Sequence, residues 1–270
     1  MSRLNQFDIY DELPLWSAPF GLTLLDTIKV KKWIKILDIG SGGGFPLLEI
    51  AERFGKSVVA YGIDPSDDSV KMITEKIKIK GISNVVISQG VAEELPFPDH
   101  FFGLIVGNNG INNVQDEKKA LTECARVLAE YGQMVLTMNL PHTFMEFYEI
   151  FEQVLQGRCM AKEVSKLQDH IYAKRKPVEY WKSILVETGF TIRSINVDGF
   201  KMRFADGTTF LEHYFVRSAF RKPWEKITGD QEIFKAIEDK LNGIAASKGE
   251  LEISVPYVCF DCYKMGHAGL

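Results

Sequence analysis

The run Ile36-Leu37-Asp38-Ile39-Gly40-Ser41-Gly42-Gly43-Gly44 constrains this chain more than any other stretch. An apolar segment, Ile34–Ile39, empties into a turn in which four of the five positions from Gly40 to Gly44 are glycine. Glycine adopts positive φ without strain, and its missing side chain lets a ligand reach the main chain. Leu47, Leu48, Ile50, Ala51 and Phe54 then recur at helical spacing. The pattern is strand, tight turn, helix, with backbone N–H groups of the turn expected to face a ligand. Two nucleotide motifs of this kind are excluded. Counting from Gly40, the sixth position of G-x-G-x-x-G is Phe45, and no Gly-Lys-Ser/Thr of a P-loop follows. What remains is an acid, Asp38, two residues before a G-x-G.

The alternation continues along the chain. Ser57–Ile63 is a second strand candidate ending at Asp64-Pro65. Ser69–Lys80 reads as a helix, with Val70, Ile73 and Ile77 on one stripe and Gly81 as its stop. Asn84–Ser88 is a third strand, Leu104–Val106 the core of a fourth and Gln133–Met138 a fifth, and Glu117–Leu128 is a helix. Strands alternating with helices at this interval give a parallel sheet with helices on both faces. The expected fold is α/β: a Rossmann-like, doubly wound, mostly parallel seven-stranded sheet with helical cap insertions. Its sixth and seventh strands fall at Thr191–Val197 and Leu251–Tyr263. In such sheets ligand loops gather at the carboxyl ends of the strands.

Residues 1–270 are expected to form a single domain. A helical N-terminal segment covers 1–30, a ligand-binding core covers 33–139, and helical insertions at 142–189 and 206–246 cap it. These insertions carry Phe144, Phe147, Tyr148, Phe210, Phe220 and Trp224, which suits an enclosed apolar pocket for a small molecule. A net charge of −4 implies no strongly basic face, so nucleic acid is not an expected partner. The tightest basic run, Lys174–Lys176, reads as a solvated helix end. No apolar run reaches the length of a membrane span, and acidic residues near the start argue against a signal peptide. With only four cysteines, a cytoplasmic location is expected. Cys259 and Cys262 form a CxxC inside a strand-like run. No second Cys or His pair completes a zinc site, and no metal is expected.

The acid-x-G-x-G turn, with Gly62-Ile63-Asp64 and the segment Gln89–Asp99, resembles the class I S-adenosylmethionine-dependent methyltransferases. Within them the chain is most similar to the menaquinone and ubiquinone C-methyltransferase group, over Ile34 to Met138. The resemblance implies S-adenosylmethionine as cofactor and S-adenosylhomocysteine as product. It assigns Asp38, Gly40, Ser41 and Gly42 to the first cofactor motif. Asp64, followed by Pro65, stands at about the spacing of a ribose-binding acid. Val91, Ala92 and Glu93 lie in the segment that borders the adenine. Val91 replaces the usual acid there, and Gly103 follows Phe102 where the family commonly has Phe-Asp. Asn108 and Asn109 leave the fourth strand beside the place of the methyl group. A purely structural, turn-forming loop is the alternative for them. Trp16 closes over the cofactor or packs in the core.

The implied activity is methyl transfer to a small, hydrophobic or aromatic acceptor by in-line displacement. Such a reaction asks the protein to align the reactants and exclude water, and no covalent nucleophile is required. If a general base is used, His142, His170 and His213 are the candidates, since histidine titrates near neutral pH. Two other readings stay open. One is a methyltransferase-like protein that binds S-adenosylmethionine without turnover, as a sensor or scaffold. The other is a nucleotide-dependent oxidoreductase, against which Phe45 speaks.

Overall fold

A computed structural model of the chain describes residues 15–266. The part of the expected N-terminal segment before Leu15 lies outside the described residues. The remainder forms helix α1, Ala18–Thr27, whose Phe20 and Leu24 are fully buried.

Seven strands make one sheet: β1 Ile34–Ile39, β2 Val58–Asp64, β3 Val85–Gln89, β4 Phe102–Asn108, β5 Leu128–Asn139, β6 Phe190–Phe204 and β7 Leu251–Lys264. Their order is β3-β2-β1-β4-β5-β7-β6. β1 pairs in parallel with β2 and β4, β2 with β3, and β4 with β5. This is the expected mostly parallel, Rossmann-like α/β sheet. The chain winds outward from β1 to β3 and then returns to lay β4 against the other side of β1. That reversal leaves a crevice at the carboxyl ends of β1 and β4, where doubly wound sheets hold ligands.

Local sequence explains the helices between these strands. α2, Leu47–Phe54, buries Leu47, Leu48, Ile50 and Ala51. α3, Asp67–Lys80, starts where the Ser66 hydroxyl accepts the Ser69 amide at 3.2 Å. Asp67 and Asp68 occupy its first turn and Lys78 and Lys80 its last, in keeping with the helix dipole. Gly81 ends it at φ 65°, a left-handed conformation suited to glycine. α4, Glu117–Val127, is capped by Asp116, which accepts the Lys119 amide at 2.9 Å. Leu24, Ile36, Ile50, Val58, Leu104, Val106 and Val135 share one buried cluster, so α1, α2 and four strands are held by a common apolar core.

β5 and β6 run furthest past their expected bounds. β5 begins at Leu128 rather than Gln133, because α4 runs into it without a turn. Phe102 pairs with Leu128 but Leu104 with Gln133, so extra residues of β5 bulge outward around exposed Glu130 and Tyr131. β6 extends to Phe204 along a mostly exposed course, which hides it from any search for alternating apolar residues.

The described chain divides into two compact units. The first runs to Met138 and adds Val178–Val197 and the chain from Tyr257. The second comprises Asn139–Pro177 and Asp198–Pro256. The expected insertion helices resolve into α5 Met145–Gly157, α6 Ala161–Lys174, α7 Val178–Glu187, α8 Gly207–Glu212 and α9 Gln231–Lys248, with short helical turns between α8 and α9. Of these, α7 belongs to the first unit. In the second unit, Phe147 and Trp224 stack with centroids 4.1 Å apart, and Phe144 lies 4.9 Å from Phe220. Phe144, Phe147, Phe210 and Trp224 have no exposed surface. These rings form the unit's own core. Cys259 and Cys262 are buried residues of β7 without a disulfide, and burial pushes the Cys259 thiol up to about 11. No described helix is long and apolar enough to cross a membrane.

Candidate active site

A cavity of about 760 Å³ opens at the carboxyl ends of β1, β2 and β4, within the first unit. Its walls include Gly40 and Gly42 after β1, Asp64 and Pro65 after β2, Val91, Ala92 and Glu93 after β3, and Asn108 and Asn109 after β4. Trp16 and Ser17, just before α1, also line it. Four loops and the approach to α1 thus bring ten of the sequence-predicted residues together. Asp38 and Ser41 do not line the cavity, and both are almost wholly buried.

The glycine turn works differently from the sequence expectation. The Gly40 and Ser41 amides both donate to the Ile63 carbonyl, at 2.9 and 3.2 Å. The Gly42 amide donates to Asp64 Oδ2 at 2.8 Å, and the Gly44 amide to the Ser41 carbonyl at 2.7 Å. The first three of these N–H groups hold the turn against β2 and the fourth closes the turn on itself, so none of the four is presented to a ligand. The glycines instead provide closeness. A Cβ on Gly110 would lie 2.1 Å from the Ile39 carbonyl oxygen, and one on Gly40, at φ +71°, would lie 2.9 Å from the Gly110 Cα. Main chain touches main chain where the β1 and β4 loops meet.

Asp64, unlike Asp38, reaches the cavity. Its Oδ2 takes the Gly42 amide and its Oδ1 takes the Ser66 amide at 2.9 Å. A carboxylate offers about four acceptor positions, so capacity for a diol remains. The helix that follows is capped by Ser66, not by Asp64.

Asp38 lies behind the turn, paired in register with Gly62 and Val106. Neither carboxyl oxygen has a hydrogen-bond partner among the described residues. Burial, offset in part by the nearby Ser41 hydroxyl and Leu47 amide and augmented by the negative charge of Asp64, raises its carboxyl to about 7.

The remaining loops are fastened to one another. Glu93 Oε1 accepts the Gln115 and Asp116 amides, at 2.7 and 3.3 Å. Asn108 Nδ2 donates to the Ser17 carbonyl at 3.1 Å, while its Oδ1 accepts the Thr137 hydroxyl at 2.8 Å. Asn109 sits at φ 59°, a conformation that asparagine tolerates well. Arg126 clamps the segment after Glu93, donating to the carbonyls of Leu95 at 2.9 Å and Phe97 at 2.7 Å. Gly103 is not in the cavity wall. A Cβ there would lie 2.9 Å from Ile34 Cγ2, so Ile34 fills the space an acid would need.

Sequence reasoning missed Thr137, whose signal was a lone hydroxyl in the apolar run Met134–Met138. It also missed Gln115 and Lys119, which line the cavity ahead of and within α4 and read in sequence only as part of a helix start. Among the described residues, no histidine lines the cavity. His142, His170 and His213 all belong to the second unit. Burial, with the positive charges of Arg175 and Lys174, pushes His170 down to about 4.

A family model described as a methyltransferase domain matches residues 30–189. A demethylmenaquinone methyltransferase of Geobacillus kaustophilus is 33% identical over 151 residues, covering 53% of this chain and 64% of that protein. The uncharacterized methyltransferase YcgJ of Bacillus subtilis is 26% identical over 161 residues, covering 60% of this chain and 58% of that protein. The chain spans less than two thirds of the length of these curated relatives. The crystal structure of the B. subtilis YcgJ protein superposes with a TM-score of 0.61 at 19% identity, over 92% of this chain and 99% of that one. A Haemonchus contortus phosphoethanolamine N-methyltransferase 2 in complex with S-adenosyl-L-methionine has a TM-score of 0.55 at 21% identity, over 91% of this chain and 52% of that one.

Proposed function

The chain belongs to the methyltransferase domain family, and from that premise we propose that it transfers the methyl group of S-adenosylmethionine to a small, hydrophobic or aromatic acceptor. The observation that carries the reading is Asp64, a carboxylate at the end of β2 that lines the cavity with acceptor capacity to spare. A phosphate-bearing ligand would want a cradle of N–H groups, and the amides of Gly40, Ser41, Gly42 and Gly44 are already committed. S-adenosylmethionine has no phosphate: its ribose hydroxyls, ammonium and adenine amino group ask for carboxylate and carbonyl acceptors, and only its carboxylate asks for donors.

When bound, S-adenosylmethionine supplies a methyl group on a sulfonium, already activated for displacement. The residues of this chain then have to bind, orient and exclude water. Asp64 accepts from the ribose hydroxyls. Val91 and Ala92 give the adenine an apolar wall, with main-chain groups in place of the missing acid. Gly40 and Gly42 admit the amino-acid arm close to the main chain. Asn108, held through both ends of its amide, fixes Ser17 and with it the start of α1 over the cavity. No side chain in this cavity needs to act as a nucleophile.

The aromatic acceptor class draws on the demethylmenaquinone methyltransferases among the relatives. Calorimetry with S-adenosylhomocysteine tests the cofactor, and release of S-adenosylhomocysteine with reduced naphthoquinones, phenols and small amines tests the acceptor. Tight binding with turnover on a quinol or phenol is expected. Binding of NAD in place of S-adenosylhomocysteine overturns the cofactor. Binding with no turnover across the panel overturns the acceptor class.

A further inference from the structure

The basic run Lys174–Lys176, read from sequence as a solvated helix end, has a buried centre. Lys174 is exposed and Lys176 lies over the Tyr172 ring, but Arg175 is only 2% exposed. Its guanidinium lies 4.9 Å from the Tyr148 ring centroid, and Nη2 donates to the Tyr148 hydroxyl at 3.1 Å. Nε and Nη1 are buried with no partner, and Arg175 has no ion pair among the described residues.

Its neighbours cannot balance the charge. Tyr148 also accepts the Trp224 indole N–H at 3.0 Å, so both lone pairs of its oxygen are taken. Its own proton is left to point at His170 Nε2, 3.4 Å away, which a neutral imidazole accepts. A guanidinium does not lose its proton inside a protein, so this cluster carries one full buried positive charge. A buried charge without a counter-ion is destabilising, and is tolerated where something brings the opposite charge.

We propose that Arg175 is the anion-binding residue of a second small-molecule site, contained in the second unit, for a ligand bearing a carboxylate or phosphate group. Each of the two forked edges of a guanidinium pairs Nη2 with either Nε or Nη1. Tyr148 takes one Nη2 hydrogen, so the edge using the other keeps two donors for two oxygens of one anion. Phe147, stacked on Trp224, gives the cluster an aromatic wall. The site stands independently of the methyl-transfer reading.

The test uses the whole purified protein with benzoate, inorganic phosphate and chloride at one ionic strength, read by melting temperature and calorimetry. Benzoate or phosphate should raise the melting temperature above that in chloride, and the anion that does so identifies the ligand class. Arg175→Met should abolish that rise, and in chloride it should melt no lower than wild type, because it removes an unpaired buried charge. Arg175→Lys keeps the charge without the fork and should bind roughly tenfold more weakly. Failure of both anions to bind wild type beyond chloride overturns the proposal. So does equal binding by Arg175→Lys, which also decides the matter if Arg175→Met does not fold.

Discussion

Gly42 donates its amide hydrogen to Asp64 Oδ2 at 2.8 Å, so the carboxylate proposed to take the ribose also pins the glycine turn. One side chain joins the ends of β1 and β2 and faces the cavity. Asp64→Ala should therefore lose both functions. A hydrogen bond to a charged group is worth about 1.5–3 kcal/mol, so S-adenosylhomocysteine affinity should fall by about ten- to a hundredfold, with a lower melting temperature. Ser66→Ala removes only the cap of α3 and should cost about 1 kcal/mol while leaving affinity unchanged. Calorimetry and thermal melts on the pair separate the roles. Wild-type affinity in Asp64→Ala would remove Asp64 from the cofactor site.

Asp38 makes stability depend on pH in an uncommon direction. Burial raises its carboxyl from 3.8 to about 7. Between those values the folded protein keeps a proton that the unfolded chain releases. The stability linked to this proton is full below the unfolded value, declines as pH rises toward the folded one, and stays lost above it. Asp38→Asn is neutral throughout and should not show the decline. Relative to wild type, the variant should gain on the order of a few kcal/mol between about pH 4 and about pH 8. Urea midpoints across that range measure it. A wild type that strengthens relative to the variant as pH rises would contradict the burial argument.

The parts of the site that were legible in sequence are those written in one short stretch. Glycines at 40–44 after an apolar strand mark the loop, and Asp64 marks the next strand end. Partners distant along the chain were not legible. The Gly42 amide meets a carboxylate 22 residues away, and nothing in the turn announces that its donors are already in use. Glu93 reads as an adenine neighbour, yet one of its oxygens ties down the loop before α4. Arg175 is indistinguishable in sequence from the two lysines beside it, because exposure alternates within one run of like charge. β5 was shortened for a similar reason. Its first turn of residues bulges into solvent and carries no apolar period.

Asn108 is held at both ends, by the Thr137 hydroxyl and the Ser17 carbonyl. Asn108→Ala leaves the hydroxyl of fully buried Thr137 without its acceptor and removes the bond from the β4 loop to the start of α1. Such an orphaned group costs about 1–3 kcal/mol. The double variant Asn108→Ala, Thr137→Val removes both partners and should recover part of that loss. S-adenosylhomocysteine affinity should stay low in both, because neither variant restores the Asn108 bond to the Ser17 carbonyl at the cavity wall. Urea unfolding with calorimetry gives the two readouts. Recovery of affinity along with stability would mean that the tether has no part in binding.

Two glycines with opposite surroundings give the sharpest contrast. Gly110 lies where the β4 loop meets β1, and a Cβ there would sit 2.1 Å from the Ile39 carbonyl oxygen. That neighbour is main chain and cannot rotate away, so Gly110→Ala must push the β1 and β4 loops apart. Overpacking of this kind typically costs about 1–3 kcal/mol. Because both loops line the cavity, S-adenosylhomocysteine affinity should fall with it. Gly243 lies inside α9, and a Cβ there meets nothing within 4 Å. Gly243→Ala should therefore stabilise the protein by roughly 0.5–1 kcal/mol, through helix propensity alone, and leave affinity unchanged. Melting temperatures and S-adenosylhomocysteine titrations on the two variants are enough to decide. A Gly110→Ala protein that melts and binds like wild type would show that the two loops do not need main-chain contact to form the cavity.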